Sequence, residues 1–396
     1  MIGPAIFLSF AVFLLLGTPI AICLGVSSVF GMLIDGSGKP IEAIMTTLPR
    51  IFSSATSKFV LLAVPFFILG GNVMEKAGIS ERLINFAQSC VGHLRGGLIV
   101  VMVSVACFFA AISGSGPATV AALGMILIPA MVNVGYPPAF AAALMAAAGA
   151  TGIVIPPSIT FVVYGSVADT SIGKLFLSGI VPGLMIGVAL CVVAIWTTRN
   201  LEIELLPKAS AEERWASFKE AFWGLLMPAI ILGGIYGGIF TPTEAAAASA
   251  VYGLFVGFFI YKTLKLKDLY EIFVNSTTTT AVVMFITATA SLFAYILTRA
   301  RLDLAISNGL TEITGGNYIL FLLIANVIFL IAGCFLDATS AVLIFTPPVG
   351  INLFVGCGIA NITLKDISMA VIPLIIACLI VLLLVTYIPQ LPLLLV

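Results

Sequence analysis

The chain has 396 residues, of which 61% are hydrophobic and 9% charged, with 17 basic and 17 acidic side chains. Soluble domains carry roughly 25% charged residues, so this composition excludes a water-solvated globule. The zero net charge removes the basic field that a nucleic-acid binder needs. One His and seven Cys without a CxxC pair leave no disulfide framework and no metal-ligand cluster, and each Cys sits in or beside an apolar run as a small core residue. What fits is an all-α polytopic membrane protein in a lipid bilayer, since backbone in lipid must satisfy its own hydrogen bonds.

A spanning helix needs about 20 apolar residues. Charge-free stretches run over 1–34, 59–74, 96–168, 175–198, 221–243, 245–261, 272–298, 313–336, 338–364 and 367–396. Charged connections fall at 35–58, 75–95, 199–220, 262–271 and 299–312. Two spans separate the 199–220 and 262–271 connections, so they share one face, and Lys262, Lys265 and Lys267 make that face cytoplasmic. Stretch 75–95 has apolar residues at helical spacing and reads as an interfacial amphipathic helix, with His93 an interface residue.

The uncharged block 96–168 is broken by Ser113-Gly114-Ser115-Gly116-Pro117, by Gly135-Tyr136-Pro137-Pro138 and by Ile155-Pro156-Pro157-Ser158. Breaks at membrane depth are tolerated only where the backbone is buried in protein or lines a wet cavity. The apolar arms on either side of Ser113–Pro117 are about 14 residues each, too short to span at 1.5 Å per residue, which describes a re-entrant hairpin or a kinked helix. Pro156 and Pro157 have no N–H to offer upstream carbonyls. Those oxygens and Ser158 face a cation-cage reading, against Ser113 and Ser115, or a purely structural kink. Asp337 is the one charge between 313 and 364, and marks either a pathway or a helix cap before Thr339-Ser340. Thr241-Pro242-Thr243-Glu244 matches a capping box. Thr277–Thr280, Thr287 and Thr289 line a polar cavity or bond back to helical carbonyls. The Ala-rich runs 141–150 and 245–250 serve close helix packing.

The two halves match at a nearly constant offset. Thr18-Pro19 pairs with Thr241-Pro242 at 223, Val29-Phe30-Gly31 with Val251-Tyr252-Gly253 at 222, and Ser113-Gly114-Ser115 with Asp337-Ala338-Thr339 at 224. Pro156-Pro157 then pairs with Pro347-Pro348, Lys174 with Lys365 and Pro182 with Pro373, all at 191. The second half therefore lacks about 33 residues after its hairpin tip. The domains read as a first transmembrane repeat 1–198, a cytoplasmic linker 199–220 and a second repeat 221–396. Repeats with matching interruptions point to a secondary transporter with its site at the broken helices.

Four motifs in order, running nearly end to end, carry a family likeness: Ile112–Ala118, Gly152–Ser158, Tyr236–Ala245 and Thr346–Gly350. They resemble the large membrane subunit of TRAP (tripartite ATP-independent periplasmic) transporters. The resemblance implies an elevator-type fold of two inverted repeats with re-entrant hairpins and broken helices in a bacterial inner membrane. It implies sodium-driven import of an organic-acid anion delivered by a periplasmic substrate-binding protein, with a small four-helix membrane subunit as partner. Carried over residue by residue, one sodium site takes Ser113, Ser115, backbone near Gly152–Pro156, and Ser158. The second takes Asp337, Ala338 and Thr339 with Thr346, Val349 and Gly350. The anion sits between the tips, at Ser113, Gly114, Ser115, Asp337 and Thr339. The departure from the family lies at Ala341–Phe345, too short for a returning arm before Thr346. A transport-deficient or scaffold-type component is therefore the alternative. An intramembrane enzyme is disfavoured, with no Ser–Lys or paired-Asp arrangement at matching depth.

Overall fold

The computed structural model describes residues 2–35, 41–333 and 349–396. Among them the helices are α1 (Ile2–Leu15), α2 (Ile20–Asp35), α3 (Ile41–Thr56), α4 (Ala63–Lys76), α5 (Ile79–Val91), α6 (Gly97–Ser113), α7 (Gly116–Asn133), α8 (Pro138–Ala150), α9 (Ile159–Val167) and α10 (Ile172–Thr197). The second half adds α11 (Ala211–Tyr236), α12 (Pro242–Phe255), α13 (Leu266–Arg299), α14 (Leu302–Thr314), α15 (Tyr318–Gly333), α16 (Val349–Ala360), α17 (Leu364–Tyr387) and α18 (Gln390–Leu393). No strand occurs among the described residues. Seven helical stretches there are long and apolar enough to cross a membrane: Phe59–Lys76, α7, α10, α11, Pro242–Ile260, α13 and α17. The polytopic reading of the composition holds.

The helix ends repeat the sequence offsets. α5 begins at Ile79 and α14 at Leu302; α9 begins at Ile159 and α16 at Val349; α10 and α17 carry Pro182 and Pro373 inside them. The connection read at 299–312 is largely the helix α14, because Leu302, Ile306, Leu310 and Ile313 recur at helical spacing. The charged stretch 75–95 contains α5, which buries Ile79, Leu83 and Ile84 and exposes Glu81.

The chain divides into two compact units, residues 1–61 with 278–347 and 62–277 with 348–396, so each unit draws on both halves of the sequence. In the first, α1 turns into α2 at Gly17, whose φ of +75° suits glycine, and the Thr18 hydroxyl donates to Phe13 O at 2.7 Å. Ile6, Leu24, Met32, Phe293 and Ile296 form its core, and Arg299 pairs with Asp35. Thr287 and Thr289 donate to Val283 O at 2.8 Å and Phe285 O at 3.0 Å, so their hydroxyls bond back to their own helix.

In the second unit α8 is the central element. Every residue from Phe140 to Gly149 is buried, against α6, α7, α16 and α17. A helix apolar on every side belongs in an interior, and the alanines let its neighbours approach closely. α4 and α12 use the same device. A Cβ on Gly70 would lie 2.9 Å from Ser249 Oγ, and one on Gly253 would lie 3.1 Å from Val73 Cγ1. The linker 199–210 is pinned across two turns: Arg95 donates to Arg199 O at 2.6 Å, and Glu204 N–H donates to Val134 O at 2.9 Å.

Thr241 and Glu244 form the capping box that the sequence spells. Glu244 N–H donates to Thr241 Oγ1 at 3.3 Å and Thr241 N–H donates to Glu244 Oε2 at 2.8 Å. Ser210 and Glu213 form a second one at the start of α11. Glu244→Ala is expected to lower the thermal unfolding midpoint, with Glu244→Gln intermediate. Sodium dependence of uptake should stay unchanged in both. A carboxylate acting on the cargo or its ion would give the reverse pattern.

Candidate functional site

The first hairpin is built as α6, a two-residue tip at Gly114-Ser115, and α7. Gly114 has a φ of +60°, a conformation glycine adopts without the clash that a side chain brings. The arms have 17 and 18 residues, longer than the roughly 14 read from the sequence, because Pro129 lies inside α7 without ending it. At 1.5 Å per residue each is still only about 26 Å long, under the ~30 Å hydrocarbon thickness. α7 nevertheless has the length and composition of a candidate span.

Hydroxyls close the tip. Ser113 Oγ lies 3.1 Å from Thr119 Oγ1 and accepts from Ser115 N–H at 3.3 Å, while Thr119 Oγ1 donates to Ser115 O at 2.8 Å. Ser113 is 7% exposed and Thr119 fully buried. Ser115 occupies the N-cap position of α7, yet its side chain makes no capping hydrogen bond. Its hydroxyl is the group at the tip not consumed in holding the turn.

The next span breaks as the double proline requires. α8 ends at Ala150, a single 3-10 turn covers Thr151–Ile153, and α9 starts at Ile159 after a cis Pro156-Pro157 bond. Pro156 stands four residues after Gly152 and Pro157 four after Ile153, so both carbonyls lack the usual helical donor. The Ser158 hydroxyl answers Ile153 O at 2.5 Å and accepts from Phe161 N–H at 3.4 Å. Ser158 is thereby an N-cap and a plug for one carbonyl, and the Gly152 carbonyl receives nothing from Pro156.

Tip and break meet. A Cβ placed on Gly114 would lie 3.3 Å from Pro157 O and 3.4 Å from Ile159 N. Ser113, Gly114 and Ser115 therefore share one region with Gly152, Pro156 and Ser158. Behind the tip, a Cβ on Gly71 of α4 would lie 3.0 Å from Ser113 Cα, so a bare helix face supports the hairpin. Asp337, Ala338, Thr339 and Thr346 lie outside the described residues. Val349 and Gly350 open α16, which packs on α7 and α8.

Three features of this region escaped the sequence reading. Thr119 lay in an apolar arm and was passed over, although it stands one turn beyond Ser115. Gly179, Gly183 and Gly187 form an i, i+4, i+8 stripe on α10. A Cβ on Gly179 would come within 2.4 Å of Val154 O and one on Gly183 within 2.4 Å of Ile155 Cγ1, so the unwound segment rests on bare helix. Small residues at four-residue spacing were the available signal. Asn352 is fully buried in α16, and its contacts are tertiary.

A polytopic helical protein whose uncommitted polar groups gather at two opposed backbone breaks has the construction of a carrier. The chain belongs to the family described as tripartite ATP-independent periplasmic transporter, DctM component, which matches residues 7–347 and 344–391. It is similar to the C4-dicarboxylate TRAP transporter large permease protein DctM of Pseudomonas aeruginosa, 41% identical over 379 residues and 88% of each chain. It is also similar to the isethionate TRAP transporter permease protein DctMQ of Oleidesulfovibrio alaskensis, 41% identical over 422 residues, 98% of this chain and 65% of that one. The sialic acid TRAP transporter large permease protein SiaM of Vibrio cholerae is 39% identical over 368 residues, 85% and 86% of the two chains. In fold, the chain resembles the YdaH transporter of Alcanivorax borkumensis, with a TM-score of 0.63 at 16% identity over 97% and 98% of the chains.

Proposed function

We propose that this permease is the transport subunit of a sodium-coupled carrier that imports an organic-acid anion across a bacterial inner membrane. The anion arrives on a periplasmic binding protein, and a small membrane subunit completes the assembly. The relatives' cargoes (C4-dicarboxylates, isethionate and sialic acid) are all acids that are anionic at neutral pH. The size of the Oleidesulfovibrio relative, of which this chain spans 65%, is consistent with an additional membrane partner.

The observation that carries the sodium reading is the donor set. Ser115 presents a hydroxyl that caps nothing, and it faces a break whose Gly152 carbonyl has lost its donor to Pro156. Neutral oxygens of this kind suit a small hard cation. A bound cation supplies the positive charge that an anionic cargo needs where no basic side chain is on hand. The chain's own part is to hold those oxygens in place: Thr119 and Ser113 fix the tip, Ser158 fixes the outgoing half-helix, and the α10 glycines admit the unwound segment. The transport cycle is then an elevator movement of two inverted repeats.

A second reading rests on one feature. The family match falls into two stretches that meet at 344–347, and alignments of 422 positions exceed this chain's whole length. Both support a second repeat that lacks about 33 residues between Phe345 and Thr346, with the site at Asp337, Thr339, Thr346, Val349 and Gly350 left incomplete. On that reading the first sodium site is intact and turnover is impaired.

The test pairs two serines. Ser115→Ala should raise the half-saturating sodium concentration at least tenfold while leaving the melting midpoint alone, because no internal hydrogen bond is lost. Ser158→Ala should cost about 1 kcal/mol of stability, as cap removal does. Equal loss of stability in both, with sodium affinity unchanged, would remove the tip from the ion site.

A further inference from the structure

Asn352 is an amide in an apolar helix, fully buried, 206 residues along the chain from the backbone oxygen it touches. Its Nδ2 donates to Ala146 O on α8 at 3.1 Å. Only the NH2 end can serve a carbonyl, so this bond fixes which way the amide points. Oδ1 then faces away from Ala146, buried and without a hydrogen-bond partner. Leaving such an acceptor unmet costs about 1–3 kcal/mol, which a packing role alone does not explain. Leu at this site would pack at no such cost.

The amide lies over the start of the hairpin's return arm. A Cβ on Gly116 would stand 3.1 Å from Asn352 Nδ2, 3.3 Å from Asn352 Oδ1 and 3.1 Å from Gly149 O. The absence of a side chain at Gly116 is what admits the amide. Gly116 follows Ser115, whose hydroxyl caps nothing, and Gly149 O belongs to the helix end that leads into the break. An oxygen with only lone pairs to offer repels a carboxylate, which brings acceptors of its own. It suits a cation.

We propose that Asn352 Oδ1 is a ligand of the alkali cation held at the first hairpin tip. The second half of the chain thus completes a site that motif comparison assigns wholly to the first. Cation binding then fastens α16 against α7 and α8. This rests on the sodium-coupled reading above, and it concerns residues untouched by the shortening after Phe345.

The test uses the purified full chain in detergent, melted at a series of sodium chloride concentrations with choline chloride holding ionic strength constant. The unaltered chain should melt higher as sodium rises. Asn352→Leu should raise the sodium concentration for half of that effect at least tenfold. Asn352→Asp loses the donor to Ala146 O but keeps an outward oxygen, and should stay within about threefold of the unaltered chain. An Asp variant as weak as the Leu variant would reduce Asn352 to a helix clasp and overturn the proposal, as would an unchanged Leu variant. Where Asn352→Leu does not fold, Gly116→Ala decides, since its methyl displaces the amide: a weakened sodium response is expected, and an unchanged one overturns the proposal. No sodium response in the unaltered chain would instead reject sodium coupling itself.

Discussion

Gly179→Ala is expected to reduce uptake at least a hundredfold, although it adds a single methyl group. That methyl would sit 2.4 Å from Val154 O and 2.5 Å from Phe161 Cε2. The ring can turn aside, but the Val154 oxygen belongs to the unwound backbone between α8 and α9. It moves only if the break moves, and with it Pro157 O, against which the hairpin tip rests. Overpacking of this kind costs roughly 1–3 kcal/mol in stability, so the chain should still fold and insert. The damage falls on ion affinity and turnover. Gly187→Ala, whose methyl would stand 3.1 Å from Cys107 Sγ, should be mild, and Gly233→Ala, with nothing within 4 Å, should be silent. Uptake and melting midpoint measured across the three variants check the order. Equal activity in Gly179→Ala and Gly233→Ala would detach the break from the transport step.

The second large effect concerns the missing segment. Placing the corresponding residues of a relative between Phe345 and Thr346 should raise uptake at least tenfold over the chain as it stands. The helix ends show what is at issue. α15 stands where α6 stands in the first half, and α16 where α9 stands, so the mates of α7 and α8 have no residues left to form them. In the first half those two helices supply the return arm, with Ser115 and Thr119, and the buried helix that leads into the break. A second site made without them keeps Asp337 and the outgoing half-helix and loses the rest. Uptake by the unaltered chain as fast as by the restored one would show that the shortening is harmless.

Much of this was written in the sequence because the signals are local. Proline has no N–H, so Pro156-Pro157 announced a break that the backbone then shows. Thr241-Pro242-Thr243-Glu244 spelled a capping box within four residues. The arms of the hairpin were underestimated because a proline inside α7 was tolerated there. The helix α14 was hidden by its charges, although its leucines and isoleucines keep helical spacing. Nothing local marks Asn352, whose meaning comes from α16 lying against α7 and α8. The glycine stripe on α10 falls between these cases: its spacing was visible, but what it faces was not. Ser158 shows the opposite limit. It was read as an ion ligand, and its hydroxyl is also engaged in capping α9 and answering Ile153 O.

The most direct test of sodium coupling is uptake into proteoliposomes that contain the restored chain, the small membrane subunit and a loaded binding protein. Initial rates are compared with an inward sodium gradient and with choline in its place. The account predicts uptake that rises at least tenfold with sodium and falls again in Ser115→Ala. Equal rates in sodium and choline would contradict it.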